Sequence, residues 1–82
     1  MNTNQACNPV SETVKHIQQM LRTLSIVNRN IPRLTANGCF GKTTKQAVMM
    51  FQKEAGLPMT GAVDRATWEA LIDEYFRVSR EL

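Results

Sequence analysis

The chain has 82 residues, 43% of them hydrophobic, and a formal net charge of +3. A chain of this size buries roughly 60–65% of the surface it exposes when unfolded, enough for one modest core and too little for a second cofactor domain or a deep catalytic cleft. No stretch reaches the roughly 18 apolar residues of a membrane-crossing helix, and 21% charged residues among scattered aliphatics argue against a disordered tail.

Taken in chain order, the residues predict three helices and two turns. Met1-Asn2-Thr3-Asn4-Gln5 has neither a basic start nor an apolar run, so it is not a signal peptide. Residues 1–9 read as an N-terminal extension and residues 10–82 as one domain. Asn8 or Ser11 is the expected N-cap of the first helix, with Pro9 suited to a first turn. Val14, Ile17, Leu21 and Leu24 then recur at helical spacing. Asn28, Asn30, Pro32 and Asn37-Gly38 mark a loop from about Ser25 to Gly41. A second helix is predicted over 42–55, with Ala47, Val48, Phe51 and Ala55 on its apolar face and Gly56 as a left-handed stop. Pro58 and Thr60-Gly61 form the next turn. Asp64 caps a third helix in which Trp68, Leu71, Ile72 and Tyr75 fall at i, i+3, i+4 and i+7. No segment alternates as a strand would. The expected fold is all-α, a compact three-helix bundle.

An internal repeat strengthens that reading. Gly38-Cys39-Phe40-Gly41-Lys42-Thr43-Thr44-Lys45-Gln46-Ala47-Val48 aligns with Gly61-Ala62-Val63-Asp64-Arg65-Ala66-Thr67-Trp68-Glu69-Ala70-Leu71. Each copy begins with a glycine suited to a tight turn of positive φ. Phe40 or Val63 is expected to drop into the core as a staple, and Gly41 or Asp64 to sit at the N-cap. The hydroxyl of Thr44 or Thr67 is expected to bond back to that cap. A second echo sets Ile17-Gln18 beside Phe51-Gln52. Two glycine-containing turns leading into helices by one device imply a pseudo-symmetric pair around one core.

Sharper chemistry fails on context. The ten Lys and Arg residues run from Lys15 to Arg80 and are densest at Lys42 and Lys45, with neutral residues between. They read as a solvated surface, not a nucleic-acid arm. Gly41-Lys42-Thr43 ends like a phosphate-binding loop, but Ala36 stands where the first glycine belongs, and Pro32 spoils the strand that must precede it. Cys7 or Cys39 with His16 lacks a third group to orient a nucleophile. Glu69 and Asp73 could pose as paired carboxylates, yet Asp73 and Arg77 are also four apart, as on a solvated helix face. The first connection is far too long for a helix-turn-helix. Two cysteines and one histidine fall short of the roughly four ligands of a structural zinc, so neither metal nor cofactor is expected. The cysteine spacing favours two free thiols and leaves a disulfide open.

The residues that remain carry a family resemblance. The order Val14…Ile17-Gln18…Leu21, then Asn37-Gly38-Cys39-Phe40-Gly41…Thr44…Ala47-Val48…Phe51-Gln52, then Gly56-Leu57-Pro58…Thr60-Gly61-Ala62-Val63-Asp64…Thr67-Trp68…Leu71, resembles the peptidoglycan-binding domain of bacterial wall hydrolases and endolysins. It covers Val14 to Tyr75. The family usually reads Asp-Gly-x-Phe-Gly-Pro at the first turn. Here Asn37 replaces the aspartate and Lys42 the proline, and the loop before Asn37 is longer.

The resemblance implies a non-catalytic module. It would hold a linked or associated wall hydrolase against glycan strands or stem peptides, at the cell wall or outside the cell, with no nucleic-acid or membrane partner. Loops on a rigid scaffold are where binding groups gather, so Asn37, Gly38, Thr60 and Gly61 are the expected ligand-binding residues, together with Trp68. Each also has a plain structural reading: the turn residues shape the chain, and Trp68, at helical spacing with Leu71 and Ile72, reads first as core. The alternative function is a protein–protein interaction domain that keeps the fold without glycan binding. A regulatory pro-domain would need a cysteine in a zinc-reaching motif, which neither cysteine occupies.

Overall fold

The computed structural model describes residues 10–81. Three helices follow one another: α1 (Glu12–Val27), α2 (Lys42–Ala55) and α3 (Arg65–Glu81). No strand lies among the described residues. The all-α three-helix bundle is therefore observed, with α1 packed chiefly against α3.

Local chemistry sets the helix ends. Ser11 is extended, and its hydroxyl accepts from the Val14 N–H at 3.2 Å, filling one of the orphan donors of the first turn of α1. The other expected cap, Asn8, lies outside the described residues. At its far end α1 runs past the expected loop start. Ser25 stays helical, donating to the Arg22 carbonyl at 2.6 Å, and the chain leaves the helix only at Asn28. There the Asn28 side chain accepts from the Asn30 N–H at 3.0 Å, a local bond that competes with further helix. Helix α2 stops at Gly56 as predicted, with φ of +74°. The Leu57 N–H reaches back to the Gln52 carbonyl at 2.8 Å and closes the C-terminal motif. Asp64 accepts from the Thr67 N–H at 2.9 Å and opens α3.

The core gathers Ile17, Leu21 and Leu24 from α1, Ala47, Val48 and Phe51 from α2, and Leu71 and Val78 from α3. Leu21 and Leu71 are sealed from solvent, and each burial stabilises the fold by about 1.5–3 kcal/mol. Two expectations need correction. Phe40 is 42% exposed and does not act as a staple; the longer first loop sends Ile31 and Leu34 into the core instead. Ala55 is also exposed, at the end of the α2 stripe. Val63, the counterpart of Phe40, does pack against the core.

Candidate functional site

The two glycine turns are each held by one buried glutamine, and the two arrangements match atom for atom. Gln18 accepts from the Gly38 N–H at 2.7 Å through Oε1. Its amide nitrogen is shared among Asn37 Oδ1, the Cys39 carbonyl and Thr44 Oγ1, at 3.2, 2.9 and 3.0 Å. Gln52 accepts from the Gly61 N–H at 2.9 Å. Its nitrogen is shared among Thr60 Oγ1, the Ala62 carbonyl and Thr67 Oγ1, at 3.1, 3.0 and 3.0 Å. A glycine N–H can only donate, so each carboxamide is oriented with its oxygen toward the turn. Both glutamines are 1% exposed, and satisfaction on both sides of the amide is what makes their burial tolerable.

This geometry adds to the role expected for the threonines. The Thr44 and Thr67 hydroxyls accept from Gln18 and Gln52, and the Thr67 hydroxyl also bonds back to the Asp64 carboxylate at the cap. The two turns differ in their caps. Asp64 caps α3 through its carboxylate, and its pKa is held below the ordinary value of 3.8, first by the hydrogen bond from the Thr67 backbone. Gly41, the equivalent residue before α2, offers no side-chain cap.

The expected binding residues fall at different places on this frame. Gly38 and Gly61 are buried, with φ of +80° and +79°. A Cβ on Gly38 would lie 2.3 Å from Val10 Cγ1, and one on Gly61 2.8 Å from the Lys45 side chain. Both positions therefore require glycine. The Asn37 side chain accepts from the Cys39 N–H at 2.9 Å, and Thr60 Oγ1 from the Ala62 N–H at 3.1 Å. Asn37 and Thr60 are nonetheless exposed, while Trp68 is half-buried against the core.

Asn37 and Trp68 line separate grooves. Beside the first turn, Asn37, Arg33, Thr35, Lys42 and Thr43 border a polar groove of about 330 Å³. The N-terminal N–H groups of α2 are left without a side-chain acceptor there. Cys39 lines the same groove and is disulfide-bonded, which corrects the free-thiol expectation at that position. The other cysteine, Cys7, lies outside the described residues. Between α1 and α3, Trp68, Tyr75 and Phe76 form with His16, Gln19 and Met20 a mainly apolar groove of about 270 Å³. Among the described residues no group of three or more His, Cys, Asp or Glu side chains is placed to hold a metal ion.

Arg33 was missed as a groove residue because it lies outside any periodic segment, and Lys42 because its place at the start of α2 read as helix entry and solvated surface. The charged face of α3 also differs from its expected pairing. Arg77 pairs with Glu74, not Asp73, and Glu69 pairs with Arg65 at 3.2 Å. A third groove lies where the C-terminal ends of α1 and α2 meet the middle of α3. It measures about 450 Å³ and includes Leu24, Phe51, Glu54 and Asp73.

Compared with known proteins, residues 10–71 match the family described as "Putative peptidoglycan binding domain". No curated protein and no solved structure matches the chain.

Proposed function

Because this chain belongs to the peptidoglycan-binding domain family, we propose that it works as a non-catalytic wall-targeting module, holding a linked or associated hydrolase against peptidoglycan. The family match over residues 10–71 is the observation that carries this reading. Two features of the molecule support it. The best-patterned polar residues, Gln18, Thr44, Gln52 and Thr67, are buried and occupied in building turns, so they are not groups available for acid–base or nucleophilic work. The disulfide at Cys39 suits an oxidising compartment such as the wall.

In this reading Asn37 and Trp68 touch ligand. Gly38, Thr60 and Gly61 fix the turn backbones around it. The polar groove suits the hydroxyls and carboxylates of the polymer, with Arg33 and Lys42 as cations that have no ion-pair partner among the described residues. Trp68 offers a ring face to a sugar. In this reading the partner is the wall polymer, not nucleic acid or membrane. Among the described residues no helix is long and apolar enough to cross a bilayer.

The test is co-sedimentation of the chain with insoluble peptidoglycan, intact and stripped of stem peptides. Retention on intact wall alone assigns the stem peptide, and retention on both assigns the glycan. Absence from both pellets sinks the proposal and favours a protein-interaction domain. Asn37→Thr supplies the hydroxyl acceptor that Thr60 provides in the second turn, and Trp68→Leu keeps an apolar side chain against the core. Both variants should stay helical by circular dichroism and lose retention several-fold; unchanged retention in both would remove these residues from the site.

A further inference from the structure

The groove beneath the C-terminal ends of α1 and α2 has an apolar floor and an acidic rim. Leu24, Ile31 and Phe51 make the floor, while Glu54, Asp73 and Glu74 supply the rim. Among the described residues Arg77 is the one cation lining it, and that charge is answered by Glu74. Glu54 accepts from the neutral Asn30 amide at 3.0 Å, so its charge stays uncompensated. Asp73 has no ion-pair partner among the described residues. The backbone adds to the same sign. Helix α1 ends at this groove with no basic residue in its last turn, and a helix C-terminus carries partial negative charge. A chain with a formal charge of +3 thus concentrates net negative charge at one groove.

We infer that this groove binds an aliphatic side chain ending in a primary ammonium, and that its occupant is the diamino acid of a peptidoglycan stem peptide. The inference rests on the wall-binding reading above. Methylenes of such a side chain lie on the apolar floor while the ammonium reaches the rim, the division by which amphipathic side chains are ordinarily accommodated. The volume of about 450 Å³ falls within the roughly 300–1,000 Å³ of ordinary ligand pockets. Charge complementarity selects the occupant. A neutral or acidic segment would gain nothing from Glu54 and Asp73, whereas an ammonium gains charge-assisted hydrogen bonds from carboxylates.

The experiment titrates the full chain with a soluble stem peptide whose diamino acid carries a free ω-amine, and with the same peptide acetylated there. The free-amine peptide should bind about ten-fold more tightly. The double variant Glu54→Gln, Asp73→Asn changes two exposed side chains without altering their shape, and should bring the two affinities together. Equal affinity for both peptides in the unmodified chain, binding of neither, or a preference that survives in the double variant would each overturn the inference. Sedimentation with insoluble peptidoglycan separates the two failures. A chain retained on wall but indifferent to the amine loses this inference alone; a chain not retained loses the wall-binding reading as well.

Discussion

Gln18 and Gln52 do at the scale of single residues what the bundle needs at each turn. Each accepts from a glycine N–H and donates to a threonine hydroxyl one helical turn into the next helix. Replacing either by leucine leaves a buried glycine N–H without its acceptor. A group so orphaned costs about 1–3 kcal/mol, and the lost amide contacts add to it. Gln18→Leu and Gln52→Leu should each lower unfolding free energy by about 2–3 kcal/mol in urea titrations, a large part of the roughly 4–12 kcal/mol that a domain of this size holds. The echo of the two glutamines is visible in the sequence, but their burial is not. A polar residue beside an apolar one on a helix reads as surface until the turn it serves is placed over it.

Asp64 gives a second residue-scale test. Its folded-state pKa lies below 3.8 because the Thr67 N–H favours the carboxylate. Its contribution to stability is therefore complete above pH 3.8 and is lost as pH falls through the lower folded value. Asp64→Asn keeps a capping oxygen but cannot titrate. The urea midpoint of the unmodified chain should fall more steeply below pH 4 than that of the variant. Parallel acid limbs would contradict the assigned cap.

At the scale of elements, helix boundaries were legible wherever a side chain or glycine sets them locally. Ser11, Gly56 and Asp64 act within a few residues of their own position, so their roles survive any tertiary arrangement. The first loop was not legible in this way. Ile31 and Leu34 lie outside any periodic segment, and only the packed bundle shows that they fill the core while Phe40 stays outside. The repeat also exposes a difference between helices. Helix α2 begins at Gly41 without the carboxylate that opens α3, and a Cβ there would meet nothing within 4 Å. Its φ of −103° suits any residue. Gly41→Asp should therefore stabilise the domain by about 0.3–1 kcal/mol through the N-terminal dipole and cap, read as a raised thermal midpoint. A lowered midpoint would show that the two turns are not equivalent.

At the scale of the whole molecule, the three helices place their grooves apart. The polar groove depends on the first turn, the aromatic groove on α1 against α3, and the acid-rimmed groove on two helix ends above α3. The sequence showed one residue of each of the first two, Asn37 and Trp68, because one sits in a patterned turn and the other is the only tryptophan. Their neighbours come from distant segments and carry no local signal. The net charge of +3 is equally uninformative as a sum, since the cations and carboxylates without an ion-pair partner among the described residues border different grooves, Arg33 and Lys42 one and Glu54 and Asp73 another.

The central claim is that this surface recognises the wall polymer. The most direct measurement is a sedimentation isotherm of the folded chain on intact insoluble peptidoglycan, with protein in the supernatant followed by tryptophan absorbance. The account predicts saturable depletion that grows with the amount of wall. A folded chain that stays wholly in the supernatant at every wall concentration would contradict it.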